Sequence, residues 1–204
     1  MENDCILINI KDLKLTIMKK FLIVSTALLM FGFAKAQNAH FGLKGGLNVS
    51  NLSIKNDNTR FMAGYHFGAL VHIHASKRLG IQPEVTYSAQ GGISENINKF
   101  RYKLDYINVP VLFQYMVNDG VRIETGPQVG FLLNAKAKAG DVKSDIKKNF
   151  ENIDFSWGFG VGYITHSKLG FDLRYNLGIT DISKNSTVKN NVFQFGIFYQ
   201  FDKR

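Results

Sequence analysis

Large apolar residues alternate with small or polar residues along most of the chain beyond residue 40. Over residues 169–179 every large apolar side chain has an odd number, and the even positions hold glycine, asparagine or a charged residue. The same alternation recurs over residues 153–163, 193–201 and 41–50. Because successive side chains of a β-strand point to opposite faces of the sheet, this period of two predicts four strands, each with an apolar and a polar face.

Four further strands are predicted in the middle of the chain, which makes eight in all. They cover about residues 61–74, 79–89, 101–116 and 121–134. The third of these is irregular because Arg101, Lys103 and Asp105 have the same parity as the apolar residues that follow them. A β-bulge near residues 106–108 would restore the alternation by inserting one residue.

The composition of the two faces predicts the class of fold. The polar face consists mainly of Gly, Ser, Asn, Gln and a few charged residues, which cannot fill a dry core. The apolar face would expose more apolar area to water than a soluble monomer tolerates. In lipid, a sheet must close so that each backbone donor and acceptor is paired. We therefore predict an all-β fold, an eight-stranded antiparallel up-and-down transmembrane β-barrel with lipid-facing aromatics outside and a small polar lumen.

The connections between the predicted strands alternate between short and long. The short ones lie at about residues 75–78, 117–120 and 166–168, and the long polar ones at about 51–60, 90–100, 135–152 and 180–191. Bacterial outer-membrane barrels have tight periplasmic turns and longer extracellular loops. We therefore expect the protein in the cell outer membrane, with both termini on the periplasmic side.

The N-terminal residues predict export. Lys19 and Lys20 precede an apolar stretch at 21–33, which ends in Ala-Lys-Ala before Gln37. These features are typical of a cleaved signal peptide over residues 18–36. Residues 1–17 are then interpreted as a mis-assigned upstream start, the alternative being a cytoplasmic extension of an uncleaved anchor. Residues 37–204 are expected to form the outer-membrane β-barrel domain.

Charge and cysteine content restrict the partners and the chemistry. The 204-residue chain has 25 basic and 16 acidic residues, and without residues 1–36 it keeps 20 and 13, a net charge of +7. This charge is spread over loops and lumen with no basic helix or stripe, so we do not expect nucleic acid as a partner. Cys5 lies in the removed segment, which leaves the mature chain without a disulfide or a thiol nucleophile.

Five stretches carry a resemblance to a known family. They are 42–46 (GLKGG), 82–88 (QPEVTYS), 106–112 (YINVPVL), 126–130 (GPQVG) and 193–201. With them, nearly all of residues 37–204 resembles the porin-family, PorT-type outer-membrane β-barrel proteins of the Bacteroidetes. The resemblance implies the barrel and no established catalytic residues, and some members resemble secretion-system components. Pro83, Pro110 and Pro127 fall within these stretches and within predicted strands, so we expect bulges or ladder gaps there.

Six charged residues are predicted to face the lumen. They are Lys44, Glu84, Arg122, Glu124, Asp172 and Arg174. An eight-stranded barrel is just wide enough inside for side chains, so these three cations and three anions are expected to form an ion-pair network that plugs it. The alternative is a narrow ion path or gate.

The histidines and several outward aromatic residues are further candidate sites. His66, His72 and His74 share one face of a strand, but no cysteine or nearby carboxylate on that strand completes a four-ligand site, so no metal or cofactor is expected. No loop carries a histidine for a catalytic rim, so the protein is predicted not to be an enzyme. Four aromatic residues are candidates for the girdles at the two membrane interfaces. These are Trp157, Tyr163, Tyr175 and Tyr199.

The leading functional hypothesis is a non-enzymatic barrel with a structural, adhesive or envelope-interaction role. Two alternatives stay open at this point, namely a narrow passive channel for ions or very small solutes and an accessory component of a protein-secretion system. The expected partners are outer-membrane lipid, lipopolysaccharide phosphates facing the lysines of the 135–152 loop, and an envelope protein. That loop could equally be solvated and mobile. The barrel is expected to be monomeric.

Overall fold

The structure is a computed structural model. It describes residues 39–54, 59–95, 100–118, 120–140 and 142–201, and the predicted signal peptide and upstream segment lie outside these residues. The described residues form eight long strands: β1 (Ala39–Ile54), β2 (Met62–His74), β3 (Leu79–Ser94), β4 (Arg101–Met116), β5 (Val121–Ala139), β6 (Ile153–Ile164), β7 (Leu169–Gly178) and β8 (Val188–Gln200). Within these ranges no helix is long and apolar enough to cross a membrane.

The eight strands close into a barrel. Each strand pairs antiparallel with the next, and β1 pairs with β8 from Gly42 opposite Gln200 to Ile54 opposite Val188. Every long strand therefore has a neighbour on both sides, which is how a spanning sheet satisfies its backbone groups where water is absent. This closure confirms the predicted antiparallel eight-stranded β-barrel.

The two faces of the wall have the predicted composition. Even-numbered residues point inward on seven of the eight strands, and the large apolar residues of the odd face point outward and are about half exposed, as at Phe41, Ile123 and Phe195. The inward face carries buried Asn, Gln, Ser and charged side chains in place of an apolar core. This inside-out arrangement is stable only where lipid covers the outer face.

The predicted bulge lies on a different strand. The alternation of β4 is unbroken, and its charged outward residues Arg101, Lys103 and Asp105 extend past the apolar band toward the long connections. The register shift falls where Asp105 pairs with Asn134 and the next residue pairs with Leu132, so Leu133 of β5 is the extra residue. From there on the odd residues of β5 point inward. The expectation of a bulge near residues 106–108 was therefore right about the position, since the register shifts beside Tyr106. It was wrong about the strand, since β5 carries the extra residue.

The three strand prolines lie at ladder gaps, as expected. Pro83 pairs with β4, but the register between β2 and β3 is interrupted beside it. Pro110 and Pro127 repeat this arrangement, each paired with the following strand and placed at a gap toward the preceding one. Since proline has no N–H to donate, the gaps fall where a ladder hydrogen bond is missing.

The strands at the long-connection end run further than predicted, and the connections fold over the lumen. β3 continues to Ser94 and β5 to Ala139, where a short strand, Val142–Asp145, pairs back onto it. The connections after β5 and β7 then meet, with Phe150 bridged to Ser183. Together these segments bury an apolar cluster above the polar lumen, which we call the apolar cap. Its residues are Leu52, Leu104, Tyr106, Leu132, Ala135, Phe150, Ile182 and Val188.

Candidate functional site: the charged lumen

Arg174 joins charged residues from different walls of the lumen. Its guanidinium group donates to both carboxylate oxygens of Glu84, at 3.0 and 3.1 Å, and its Nε donates to Glu124 Oε1 at 2.9 Å. All three side chains are buried. Arg174 lies on β7 and Glu84 on β3, which are on opposite walls of the barrel, so this contact spans the lumen. Paired hydrogen bonds from arginine to carboxylate are among the strongest in proteins.

Lys44 extends the same network to the other walls. Its Nζ lies 3.3 Å from Glu84 Oε2 and 3.1 Å from Asp172 Oδ2. The amide of Gln82 donates to Glu84 at 2.8 Å, so the carboxylate is surrounded by donors. We call Lys44, Glu84, Glu124, Asp172 and Arg174 the lumen ion-pair network. The barrel thus brings five of the six predicted charges together, and the sequence had not indicated the supporting glutamine.

Arg122, the sixth predicted charge, lies outside the network. Its NH1 group donates to Gln114 Oε1 at 3.3 Å, and its guanidinium carbon lies 4.6 Å from the centre of the Phe198 ring. That distance is typical of a cation–π contact. Within the described residues its Nε and NH2 groups have no hydrogen-bond partner. Arg122 therefore forms a second layer, nearer the short turns, in which its guanidinium group packs on the inward-facing Phe198 ring.

A layer of amides separates the network from the apolar cap. Asn48 Nδ2 donates to Ser88 Oγ at 2.9 Å, while Asn48 Oδ1 accepts from Gln194 at 3.2 Å and contacts His66 Nδ1 at 2.8 Å. Asn190 donates to Gln90 Oε1 at 2.6 Å further toward the cap. His66 thus belongs to a hydrogen-bonded amide layer.

The other two singled-out histidines lie at the short-turn end. The ring centres of His72 and His74 are 4.5 Å apart, and His40, which sequence reasoning had not selected, lies 5.7 Å from His74. Among the described residues no group of three or more His, Cys, Asp or Glu side chains has a geometry that could hold a metal ion. The structure therefore separates His66 from the other two histidines.

The four aromatic girdle candidates all lie on the outer face. Trp157 and Tyr175 are nearer the long-connection end of their strands, and Tyr163 and Tyr199 are nearer the short turns. Trp157 Nε1 donates to Thr125 Oγ1 at 2.8 Å on the neighbouring strand. Two levels of amphipathic aromatic side chains are thus present, and their role as interfacial girdles remains a prediction.

Comparison with known proteins gives the family of this barrel. Residues 35–184 match the model of the outer membrane protein beta-barrel domain family. No curated protein matches at a significant level. Among solved structures, neisserial surface protein A is 15% identical with a TM-score of 0.58, and Ail, the attachment invasion locus protein of Yersinia pestis, is 15% identical with a TM-score of 0.53.

In both pairs the alignment covers 81% of this chain and 100% of the other chain. At this identity the likeness concerns the fold alone, since unrelated functions share one fold. The family match covers most of the chain, including seven of the eight barrel strands. The chain therefore belongs to the outer membrane protein β-barrel domain family.

Proposed function

We propose that this protein is a non-enzymatic, non-conducting barrel of the outer membrane that acts in the cell envelope through its long-connection end. The observation that carries this proposal is the filling of the lumen by the ion-pair network, in which Arg174 spans from one wall to the other. The apolar cap forms a second barrier above the network. An ion crossing this interior would have to separate buried charge pairs, each of which is costly to break.

The exposed end then becomes the interacting part of the molecule, in a structural, adhesive or envelope-interaction role. The fold likeness to Ail, whose name describes attachment and invasion, and to a neisserial surface protein supports this choice. We infer that both termini face the periplasm, because β1 begins and β8 ends at the level of the short turns. The barrel acts as a monomer in this proposal, because closure leaves no free edge among its eight long strands.

Electrical recording tests the closed lumen. The purified protein is refolded and inserted into a planar lipid bilayer at high salt, where it is expected to give no conductance steps. A large porin inserted in the same bilayer serves as the control for detection. Reproducible steps from the refolded protein would overturn the proposal and support the narrow passive channel.

A basic patch at the long-connection end suggests the first partner. Arg101 pairs with Lys138, and Lys103 pairs with Lys136, on the outward face of β4 and β5. Lys138 also pairs with Lys143 on the short strand beyond. Like charges directly opposite each other destabilise a sheet, and a bound polyanion removes that cost. Lipopolysaccharide phosphates fit this position, just above the apolar band.

Neutralising the patch is expected to weaken lipopolysaccharide binding. Each cation near an anionic surface contributes about 1 kcal/mol, so the triple variant Arg101→Gln/Lys136→Gln/Lys138→Gln should lose on the order of 100-fold in affinity. The measurement is binding of refolded protein to vesicles with and without lipopolysaccharide. The triple variant Arg60→Gln/Lys184→Gln/Lys189→Gln removes the same charge outside the patch and should lose much less affinity. Equal losses in both variants would mean that net charge acts and the patch does not.

Deletion of the gene separates this role from the accessory secretion role that the PorT-type resemblance implies. With a structural or adhesive role, exported proteins should pass the outer membrane normally in the deletion strain. Cargo trapped in the periplasm would instead support the secretion role.

A further inference from the structure

The short-turn end of the lumen holds a cavity of about 470 Å³. Its wall is formed by strand residues, among them His72, Arg122 and Gln200, and by residues of the short turns. It lies on the opposite side of the ion-pair network from the apolar cap, so the network separates it from the long connections. We call this cavity the vestibule.

Three side chains that line the vestibule have buried polar nitrogens without a hydrogen-bond partner. Arg122, His72 and Gln200 are each at least 95% buried. Within the described residues, Arg122 Nε and NH2, His72 Nδ1 and Gln200 Nε2 have no hydrogen-bond partner. Burying an unpaired donor costs free energy, more so for a charged group. The side chains therefore favour a ligand that supplies acceptor oxygens.

The charge of the lining selects the sign of that ligand. Four of the described lining residues are Lys or Arg and none is Asp or Glu. The carboxylates that act on Arg122 are Glu124, Asp172 and Glu84, and all three belong to the lumen ion-pair network. Glu124 accepts from Arg174 and from Gln114, while Asp172 and Glu84 pair with Lys44. A cleft lined by one sign of charge concentrates ions of the opposite sign. The same cations oppose the binding of a metal ion to His40, His72 and His74.

We propose that the vestibule is a binding site for a phosphate or phosphate-monoester group that enters from the periplasmic side. The Nε and NH2 groups of Arg122 lie on the side of the guanidinium that matches two phosphate oxygens. Gln200 supplies a neutral donor beside it, and His72 supplies another in the tautomer that carries the proton on Nδ1. Lys77 and Arg78 at the rim supply long-range attraction. The volume exceeds that of one inorganic phosphate, so a small phosphorylated solute or a phosphate headgroup can be accommodated.

Calorimetric titration of the full-length refolded protein in neutral detergent micelles tests this site. The probe is sodium phosphate at constant ionic strength, with glycerol 1-phosphate, sodium acetate and zinc chloride titrated separately. Saturable binding of phosphate and of glycerol phosphate at one site is expected, with acetate at least tenfold weaker because it offers one fewer acceptor oxygen and less charge. Absence of saturable phosphate binding, or equal binding of acetate, would overturn the proposal.

Two variants locate the binding. Arg122→Gln is expected to lower phosphate affinity about tenfold or more, since it removes the charge-assisted donors. A lumen variant can fail to refold, so the second variant is Lys77→Gln/Arg78→Gln in the exposed turn. It should lower phosphate affinity several-fold. The matched control Lys184→Gln/Lys189→Gln removes the same charge at the opposite end, outside the basic patch, and should bind normally.

Three results would contradict the phosphate site. Unchanged phosphate binding in the turn variant would contradict the proposal, as would a loss of equal size in the control. Zinc binding that is lost in His72→Ala, without phosphate binding, would show a metal site and overturn the phosphate assignment. Failure here leaves the closed lumen untouched, because bilayer recording depends on the network and the cap.

Discussion

Replacing Arg174 with methionine is expected to destabilise the barrel by about 3–5 kcal/mol, the cost of leaving buried partners of an ion pair uncompensated. The substitution keeps most of the side-chain volume, so the loss reports charge. It removes the hydrogen bonds that Arg174 donates to Glu84 on the opposite wall and to Glu124 on β5. The measurement is the urea midpoint of unfolding in lipid vesicles, followed by the fluorescence of Trp157, the one tryptophan of the chain.

Two further variants show whether the effect comes from stranded charge. Arg101→Met changes an exposed arginine at the end of β4 and should shift stability by less than about 0.5 kcal/mol. Adding Glu84→Gln and Glu124→Gln to Arg174→Met should recover most of the loss, because no buried carboxylate then remains without a cation. If Arg174→Met unfolds at the wild-type midpoint, the network does not stabilise the barrel and the plug loses its support.

The strand pattern could be predicted because it depends on local geometry. A period of two records which side of a wall each residue faces, and lipid outside a polar lumen makes the contrast strong on all eight strands. Even the prolines were predictable in kind, since a missing N–H has the same consequence on any strand. The closed barrel and its two faces therefore followed from the sequence alone.

The strand that carries the bulge could not be predicted in this way. The charged parity of Arg101, Lys103 and Asp105 suggested that β4 changes face, but these residues lie outside the apolar band on a strand that stays regular. The extra residue, Leu133, is the last large apolar residue of β5. Only Asn, Ala and Lys follow it in the strand, so no large apolar residue marks the change of face. A register shift belongs to a pair of strands, and one strand's pattern does not report it.

The contents of the lumen were predictable as a set and not as contacts. Inward parity selected the charged residues, whereas the pairing of Arg174 with Glu84 joins residues 90 positions apart and depends on the closure of the barrel. The apolar cap could not be predicted from the strand pattern, because Phe150 and Ile182 come from irregular connections without a period. The vestibule could not be predicted for the same reason, since short turns contribute part of its wall.

Along its axis the lumen changes from apolar to neutral polar, then to paired charge, and finally to a lining rich in cations. This order gives the two ends different capacities. The end with the cap offers a covered surface to the exterior, and the opposite end offers unpaired donors. Small inward residues let the walls of this interior approach closely, and Gly170 is one of them.

The second large effect is expected at Gly170, where the wall of β7 approaches Phe198. Gly170 pairs directly with Phe198 of β8, and a Cβ atom on Gly170 would overlap the Phe198 ring. That ring cannot move away freely, since Arg122 packs on it. Gly170→Val should therefore destabilise the barrel by about 1–3 kcal/mol, the usual cost of overpacking a filled interior, in the same urea measurement.

A double-mutant cycle decides whether overlap with the ring is the cause. In a Phe198→Ala background the valine occupies vacated space, so Gly170→Val should cost nothing further, which gives a coupling energy of about the full single-variant loss. Gly45→Val is the matched control, because a Cβ there meets its nearest neighbour, the His66 carbonyl, at an ordinary 3.6 Å. Additive losses at Gly170 and Phe198 would mean that glycine is needed for backbone shape instead. The close approach of β7 to β8 would then not depend on the Phe198 ring.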